Sequence, residues 1–308
     1  MVKWRTAARN NKKDRRREMK LTDVLKKDKL TLSFEVFPPK TETTLEDVLA
    51  TTQKIAALRP AFVSVTYGAG GGTSRYTLAI AENMYKTTGV PTLAHLTCIS
   101  STRQTVAERI ADMKAHGIEN VMALRGDLTP EQKGSDRSDW DYHHACELVR
   151  ELKAAGDFCI GGACYPEVHP ESVDSREDIS HLKEKVDAGC DFLTSQMFFD
   201  NSLYYSFLYR VREAGITVPI FPGIMPITSA TQIKRAIELS GSFMPHRFLA
   251  LVDRFGQDPE AMKQAGIAYA TDQIIDLYAN GVRNVHVYTM NKPDVAAKIM
   301  DNLSAILN

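Results

Sequence analysis

Six strand-like apolar runs in this 308-residue chain each carry a polar or charged residue at or near their downstream end. They span Ser33–Phe37 (with Glu35), Phe62–Thr66, Leu93–Leu96 (with His95), Val121–Asp127 (with Arg125 and Asp127), Cys159–Tyr165 and Phe192–Gln196. A parallel strand covered on both faces is apolar throughout. Polar groups recurring at the same end of successive strands need a common reason. Convergence of those ends on one site, as in a barrel enzyme, supplies it.

The stretches between the runs are helical. Leu45, Val48, Leu49, Thr52 and Ile55 share one face, and Val106, Ile110 and Met113 share another. Leu148, Val149 and Leu152, then Ile179, Leu182 and Val186, then Leu203, Phe207, Leu208 and Val211 continue the series. Gly89, Gly117, Gly156, Gly189 and Gly215 each follow such a patch, where a helix C-cap belongs. Two more strands fit residues 218–224 and 285–290, for a total of eight. The long gap between those two reads as helices over about 229–240, 244–254 and 258–280. Eight strand–helix units with right-handed crossovers predict an α/β fold: a (β/α)8 TIM barrel with extra helices before the last strand. An open doubly wound sheet is the competitor. It prefers a Gly-rich turn after the first strand, where this chain has Pro38-Pro39-Lys40. A single domain is expected over residues 21–308.

Net charge is zero, so nothing global points to nucleic acid or a membrane. The charge is uneven: residues 1–20 hold nine of the 38 basic and two of the 38 acidic residues, leaving 29 basic against 36 acidic elsewhere. No apolar segment follows the basic stretch Lys12–Arg17, so it is not a secretory signal. Residues 1–20 read as a solvated, disordered extension. A nucleic-acid patch or an organelle address is the other reading. Five cysteines (98, 146, 159, 164, 190) form no Cys-x-x-Cys pair, which argues for reduced thiols in a cytoplasmic protein. Cys159 and Cys164 read as core residues rather than as a redox pair. No run reaches transmembrane length.

Several motifs carry chemistry. Gly68-Ala69-Gly70-Gly71-Gly72-Thr73-Ser74 suits either backbone contacts to a phosphate or a flexible turn, and it lacks the Walker lysine. Glu35 sits between Phe34 and Val36. Burial disfavours an ionised carboxyl, and a carboxyl that keeps its proton can act as a general acid. The bland alternative pairs Glu35 with a Lys or Arg of a neighbouring strand. Arg125-Gly126-Asp127 offers an anion clamp, a close backbone approach and a fixed negative charge; an Arg–Asp pair closing the strand is its structural alternative. Prolines 166 and 170 stiffen the loop that carries Tyr165 and His169. His169 has no partner at metal spacing and His143-His144 cannot easily share one ion, so no metal site is expected. Gln196 presents an amide suited to the edge of a heterocycle. The set suits redox or carbon-transfer chemistry on a flat ring.

At this point the chain resembles the methylenetetrahydrofolate reductase family. The resemblance rests on Ser33–Lys40, Phe62–Gly68, His95–Cys98, Ala123–Asp127, Tyr165–Pro170, Lys185–Gly189 and Phe221–Ile224, seven motifs in order across about residues 20–308. It implies a barrel that binds FAD non-covalently and reduces 5,10-methylenetetrahydrofolate to 5-methyltetrahydrofolate with electrons from NADH or NADPH, in ping-pong fashion. That places the chain in one-carbon metabolism and methionine biosynthesis. The resemblance makes Glu35 and Asp127 the catalytic residues, as general acid and as stabiliser of a cation. It assigns FAD to Thr66, His95, Leu124, Arg125, Gly126, Asp127, His144, Ala145, Tyr165, His169, Asp178, His181 and Lys185. Substrate binding falls to Glu35, Asp127, Gln196, Gln232 and Lys292. It departs from the family pattern at His144, His181, Glu184, Ala236 and Lys292, which bears on the dinucleotide, stacking and folate-tail contacts. A homo-oligomer is expected. So is independence of S-adenosylmethionine control through a C-terminal regulatory domain, since the barrel fills the chain. Two other readings stand: a flavin barrel that takes electrons from a partner protein, and another flavin barrel such as a proline dehydrogenase relative.

Overall fold

The computed structural model describes residues 20–24, 29–39, 44–67, 74–128, 132 and 135–307. The basic extension through residue 19, Lys40 and the Gly-rich loop at 68–73 lie outside the described residues. The strands are β1 (Thr31–Val36), β2 (Val63–Val65), β3 (Thr92–Thr97), β4 (Asn120–Leu124), β5 (Cys159–Cys164), β6 (Phe192–Met197), β7 (Ile220–Ile224) and β8 (Asn284–Tyr288). They form a closed barrel in sequence order. All neighbours are parallel, and β1 closes on β8 with Thr31 opposite Asn284 and Glu35 opposite Tyr288.

The helices among the described residues are α1 (Leu21–Val24), α2 (Leu45–Ala56), α3 (Ser74–Thr88), α4 (Arg103–Ala115), α5 (Ala145–Ala155), α6 (Ser175–Asp187), α7 (Asn201–Glu213), α8 (Thr231–Ser240), α9 (His246–Phe255), α10 (Pro259–Ala279), α11 (Pro293–Asn302) and α12 (Ser304–Leu307). Side chains start them where orphan N–H groups need acceptors. Thr44 and Asp47 form a capping box on α2, Asp174 accepts from Arg176 and Glu177 N–H, and Asp258 accepts from Glu260 and Ala261 N–H. Helices α8 to α10 are the extra elements before the last strand. They enclose their own apolar cluster around Met225, Phe248, Met262 and Tyr269.

Each strand divides its residues between two cores. On β1, Leu32, Phe34 and Val36 pack toward the helices, while Ser33 and Glu35 turn inward. The inner core is a plug of Phe62, Leu93, Met122, Phe192 and Phe221, closed from below by the fully buried Leu21 of α1. Asn120 holds α1 in place by accepting from Leu21 N–H at 2.9 Å. Above the plug lies a polar layer. Phe62 stacks beneath His286 at 5.8 Å, and His286 meets Ser33 and Ser64 across the barrel.

One expected strand boundary changes. Strand β4 stops at Leu124, so Arg125-Gly126-Asp127 belongs to the following loop. Gly126 has φ +94°, and a Cβ there would sit 3.0 Å from Thr97 Cβ and Ile99 Cγ2, so the turn requires glycine. The register of β6 against β7 shifts between Thr194 and Met197, an irregularity that re-aims Gln196. Cys159 and Cys164 are the two ends of β5, five steps of about 3.3 Å apart, and cannot pair. All five cysteines are buried and free.

Candidate active site

The ends of the strands open on one cavity of about 820 Å³. That lies within the roughly 300–1,000 Å³ typical of small-molecule and cofactor sites. Every candidate residue named above except Lys292 lines it.

At its floor stands Glu35. Its Oε2 is 3.8 Å from His95 Nε2 and 3.9 Å from His286 Nε2. Its neighbours are thus two imidazoles, not a lysine or arginine. Ser33 Oγ donates to the Val285 carbonyl at 3.3 Å and lies 2.8 Å from His286 Nδ1. Ser64 Oγ lies 3.3 Å from His286 Nε2, so both ring nitrogens are held by hydroxyls. His95 is held neutral: burial pushes it down to about 4, with Glu35 opposing and His286 adding to the shift. Its approach to Glu35 is therefore not an ion pair at pH 7. His95 Nε2 and Thr194 Oγ1 are both buried without a hydrogen-bond partner. Two orphaned polar atoms in one cavity wall are what a polar ligand would satisfy.

Asp127 is exposed at the cavity. Its charge adds to the upward shift that burial gives the Tyr165 hydroxyl. Arg125 does not pair with Asp127. Its guanidinium makes a two-pronged contact with Glu171, at 2.5 and 2.8 Å, and Glu171 holds it firmly charged. Tyr165 and His169 meet edge to face at 4.6 Å. Between them Val168 has φ +73°, unusual for a β-branched residue. Glu167 fixes this loop by accepting from Phe243 N–H at 2.7 Å.

Both glutamines have a defined polarity. Backbone nitrogens only donate, so the amide atom each one meets is oxygen. Gln196 Oε1 accepts from Met197 N–H at 2.9 Å and Gln232 Oε1 from Thr228 N–H at 2.8 Å. The Gln232 amide therefore keeps its NH2 group for the cavity, while that of Gln196 also meets the Tyr165 hydroxyl. Toward the outer end His144 and His181 lie 5.7 Å apart, and both burial and His181 lower the His144 pKa. Lys185 Nζ donates to the Ala163 carbonyl at 2.7 Å. Burial raises the Asp178 carboxyl.

Lys292 stands at the N-cap position of α11 and donates to Thr228 Oγ1 at 2.7 Å. Thr228 in turn contacts Gln232 Oε1 through its hydroxyl at 3.3 Å. Lys292 thus orients Gln232 from behind. Lys292→Met, Thr228→Val and the double variant should each raise the KM for the bound heterocycle by about the same factor, three- to tenfold. Additive losses in the double variant would mean that Lys292 meets the ligand itself.

Sequence reasoning missed His286, Tyr288 and Arg109 on this wall. The signal for the first two was their alternation with Val285 and Val287 along β8, which points both inward. Tyr288 donates to the Ser195 carbonyl at 2.7 Å, and burial raises its hydroxyl pKa. Among the described residues no cluster of three metal-ligating side chains occurs, and no helix is long and apolar enough to cross a membrane.

A family model described as methylenetetrahydrofolate reductase matches residues 20–304. The 5,10-methylenetetrahydrofolate reductase of Pectobacterium carotovorum subsp. carotovorum is 36% identical over 275 residues, covering 89% of this chain and 90% of that protein. That of Escherichia coli strain K12 is 36% identical over 274 residues, with the same coverage. Methylenetetrahydrofolate reductase (NADH) 1 of Zea mays is 34% identical, covering 93% of this chain but 50% of its own length. The chain thus spans about half of that plant relative. Among solved structures, an uncharacterized Clostridium thermocellum protein that binds two copies of 5-methyl-5,6,7,8-tetrahydrofolic acid superposes with TM-score 0.63 at 13% identity, over 92% of this chain and 98% of that one. Oxaloacetate acetylhydrolase superposes with TM-score 0.52 at 13% identity, over 92% of this chain and 84% of that one. At those identities the likeness concerns the fold alone.

Proposed function

This chain belongs to the methylenetetrahydrofolate reductase family, and we propose that it reduces 5,10-methylenetetrahydrofolate to 5-methyltetrahydrofolate. The observation that carries this reading is Glu35, a carboxyl on the cavity floor facing two histidines, one of them held neutral. Opening the five-membered ring of the folate requires a proton on its nitrogen and leaves a cationic carbon. Glu35 is placed to give the proton. Asp127, not neutralised by Arg125, is placed to face the cation. The NH2 groups of Gln196 and Gln232 suit carbonyl and carboxylate oxygens of pterin, nicotinamide or folate tail.

We assign FAD as the resident cofactor, with NADH or NADPH as donor in a ping-pong cycle. The residues fit it. His95 Nε2 and Thr194 Oγ1 await polar partners, and Gly126 lies on the cavity lining. His169 and Lys185 line the same cavity. Bound there, the flavin would carry hydride from the nicotinamide to the folate. The NADH in the maize protein's name makes NADH the first donor to test. Five free thiols suit a reducing compartment such as the cytoplasm.

Purified protein should be yellow, should bleach anaerobically with NADH or NADPH, and should regain colour on adding methylenetetrahydrofolate. A colourless protein that takes up no FAD would refute the reading. A yellow protein bleached by neither nicotinamide would shift the electron source to a partner protein. Bleaching by proline, but not by methyltetrahydrofolate, would indicate a proline dehydrogenase relative.

A further inference from the structure

Three fixed cations line the cavity: Arg109, Arg125 and Lys185. Among the described residues, only Arg125 of the three meets a carboxylate. Glu171 grips Arg125, and Lys185 donates to the Ala163 carbonyl. Arg109 is different. Its Nη1 donates to Ser101 Oγ at 2.9 Å, and its guanidinium lies 5.4 Å from the centre of the Tyr67 ring. Among the described residues no carboxylate forms an ion pair with it. Asp112, one turn further along α4, shares a side cavity of about 80 Å³ with Arg109 without pairing. A half-buried guanidinium keeps its charge at any working pH, and a charge partly removed from water calls for a counter-ion.

Ser101 completes a donor set. In accepting from Arg109 its oxygen leaves its own proton free to donate. The turn that delivers it is fixed: Ser101 N–H donates to the Cys98 carbonyl at 3.0 Å, and Ser100 has φ +54°. Strain of that kind persists where the surroundings hold it. A guanidinium fork beside a donating hydroxyl, open to a ligand cavity, matches the oxygens of a phosphoryl group.

We propose that Arg109 and Ser101 form a phosphoryl-binding subsite of this cavity, which takes a phosphate of a bound dinucleotide. This rests on the function proposed above, in which both the flavin and the electron donor are dinucleotides. Charge favours this place for one of their phosphates because, among the described residues, no carboxylate pairs with Arg109 and a donating hydroxyl stands beside it.

The test uses the full chain with Arg109→Ala, Arg109→Lys and Ser101→Ala. Three quantities are measured: FAD affinity, from quenching of flavin fluorescence on flavin-stripped protein, and the concentrations of NADH and of NADPH that half-saturate anaerobic bleaching. Arg109→Ala should weaken at least one of them by about tenfold or more. Arg109→Lys should recover part of the loss, since an ammonium keeps the charge without the fork. Ser101→Ala should weaken the same ligand by a smaller factor, and it carries the test if Arg109→Ala does not fold. Loss on FAD alone places the flavin diphosphate at the subsite. Equal loss on NADH and NADPH places the donor diphosphate there, and loss on NADPH alone places its 2′-phosphate there. Unchanged values for all three ligands overturn the subsite. A wild-type protein that binds no FAD and does not bleach defeats the proposed function instead.

Discussion

With Glu35 replaced by Gln, the enzyme should still be reduced by nicotinamide but should reduce folate about 10²- to 10⁴-fold more slowly. Gln keeps the size and polarity of the side chain and removes only its capacity to give up a proton. Hydride arriving from the nicotinamide needs no acid at this position. Ring opening of the folate does. His95 beside it is held neutral, and His286 is engaged by the hydroxyls of Ser33 and Ser64. The two half-reactions, followed separately by anaerobic stopped flow at the flavin absorbance, give the answer. An equal loss in both would show that Glu35 serves binding or packing and not proton transfer.

Asp127→Asn should leave flavin bound and slow the folate half-reaction on the order of 10²-fold. The argument depends on Asp127 keeping its charge free. An Arg125–Asp127 pair would have neutralised it, but Arg125 is turned to Glu171. The negative charge therefore remains available to a cation in the cavity. Asn preserves shape and hydrogen bonding while removing that charge. The KM for folate should move far less than kcat, because the cation exists only after ring opening. A folate half-reaction that runs at the wild-type rate would remove Asp127 from the mechanism.

Much of this site could be read in the sequence because a parallel strand punishes polar residues everywhere except at the barrel mouth. Glu35, His95 and Gln196 therefore stood out against their apolar neighbours. Helix faces followed from spacing, and Val106, Ile110 and Met113 are all buried as that spacing requires. What stayed hidden depends on partners far away in sequence. Ser33 and His286 are 253 positions apart, yet they share a hydrogen bond that orients the floor of the site. The contact of Lys292 with Thr228, 64 positions away, is another such case. Arg125 and Asp127 look like a natural pair from their spacing. Only the turn at Gly126 and the placement of Glu171 separate them.

The apolar plug closed by Leu21 has an effect beyond stability. Glu35 and His286 lie one layer above Phe62, and Phe62 belongs to the cluster that Leu21 seals from below. Water kept out of the lower end cannot screen the charges at the upper one. A four-residue helix at the far end of the barrel thus acts as electrical insulation for the layer that holds Glu35. Loosening it would let water reach that layer without moving Glu35 itself.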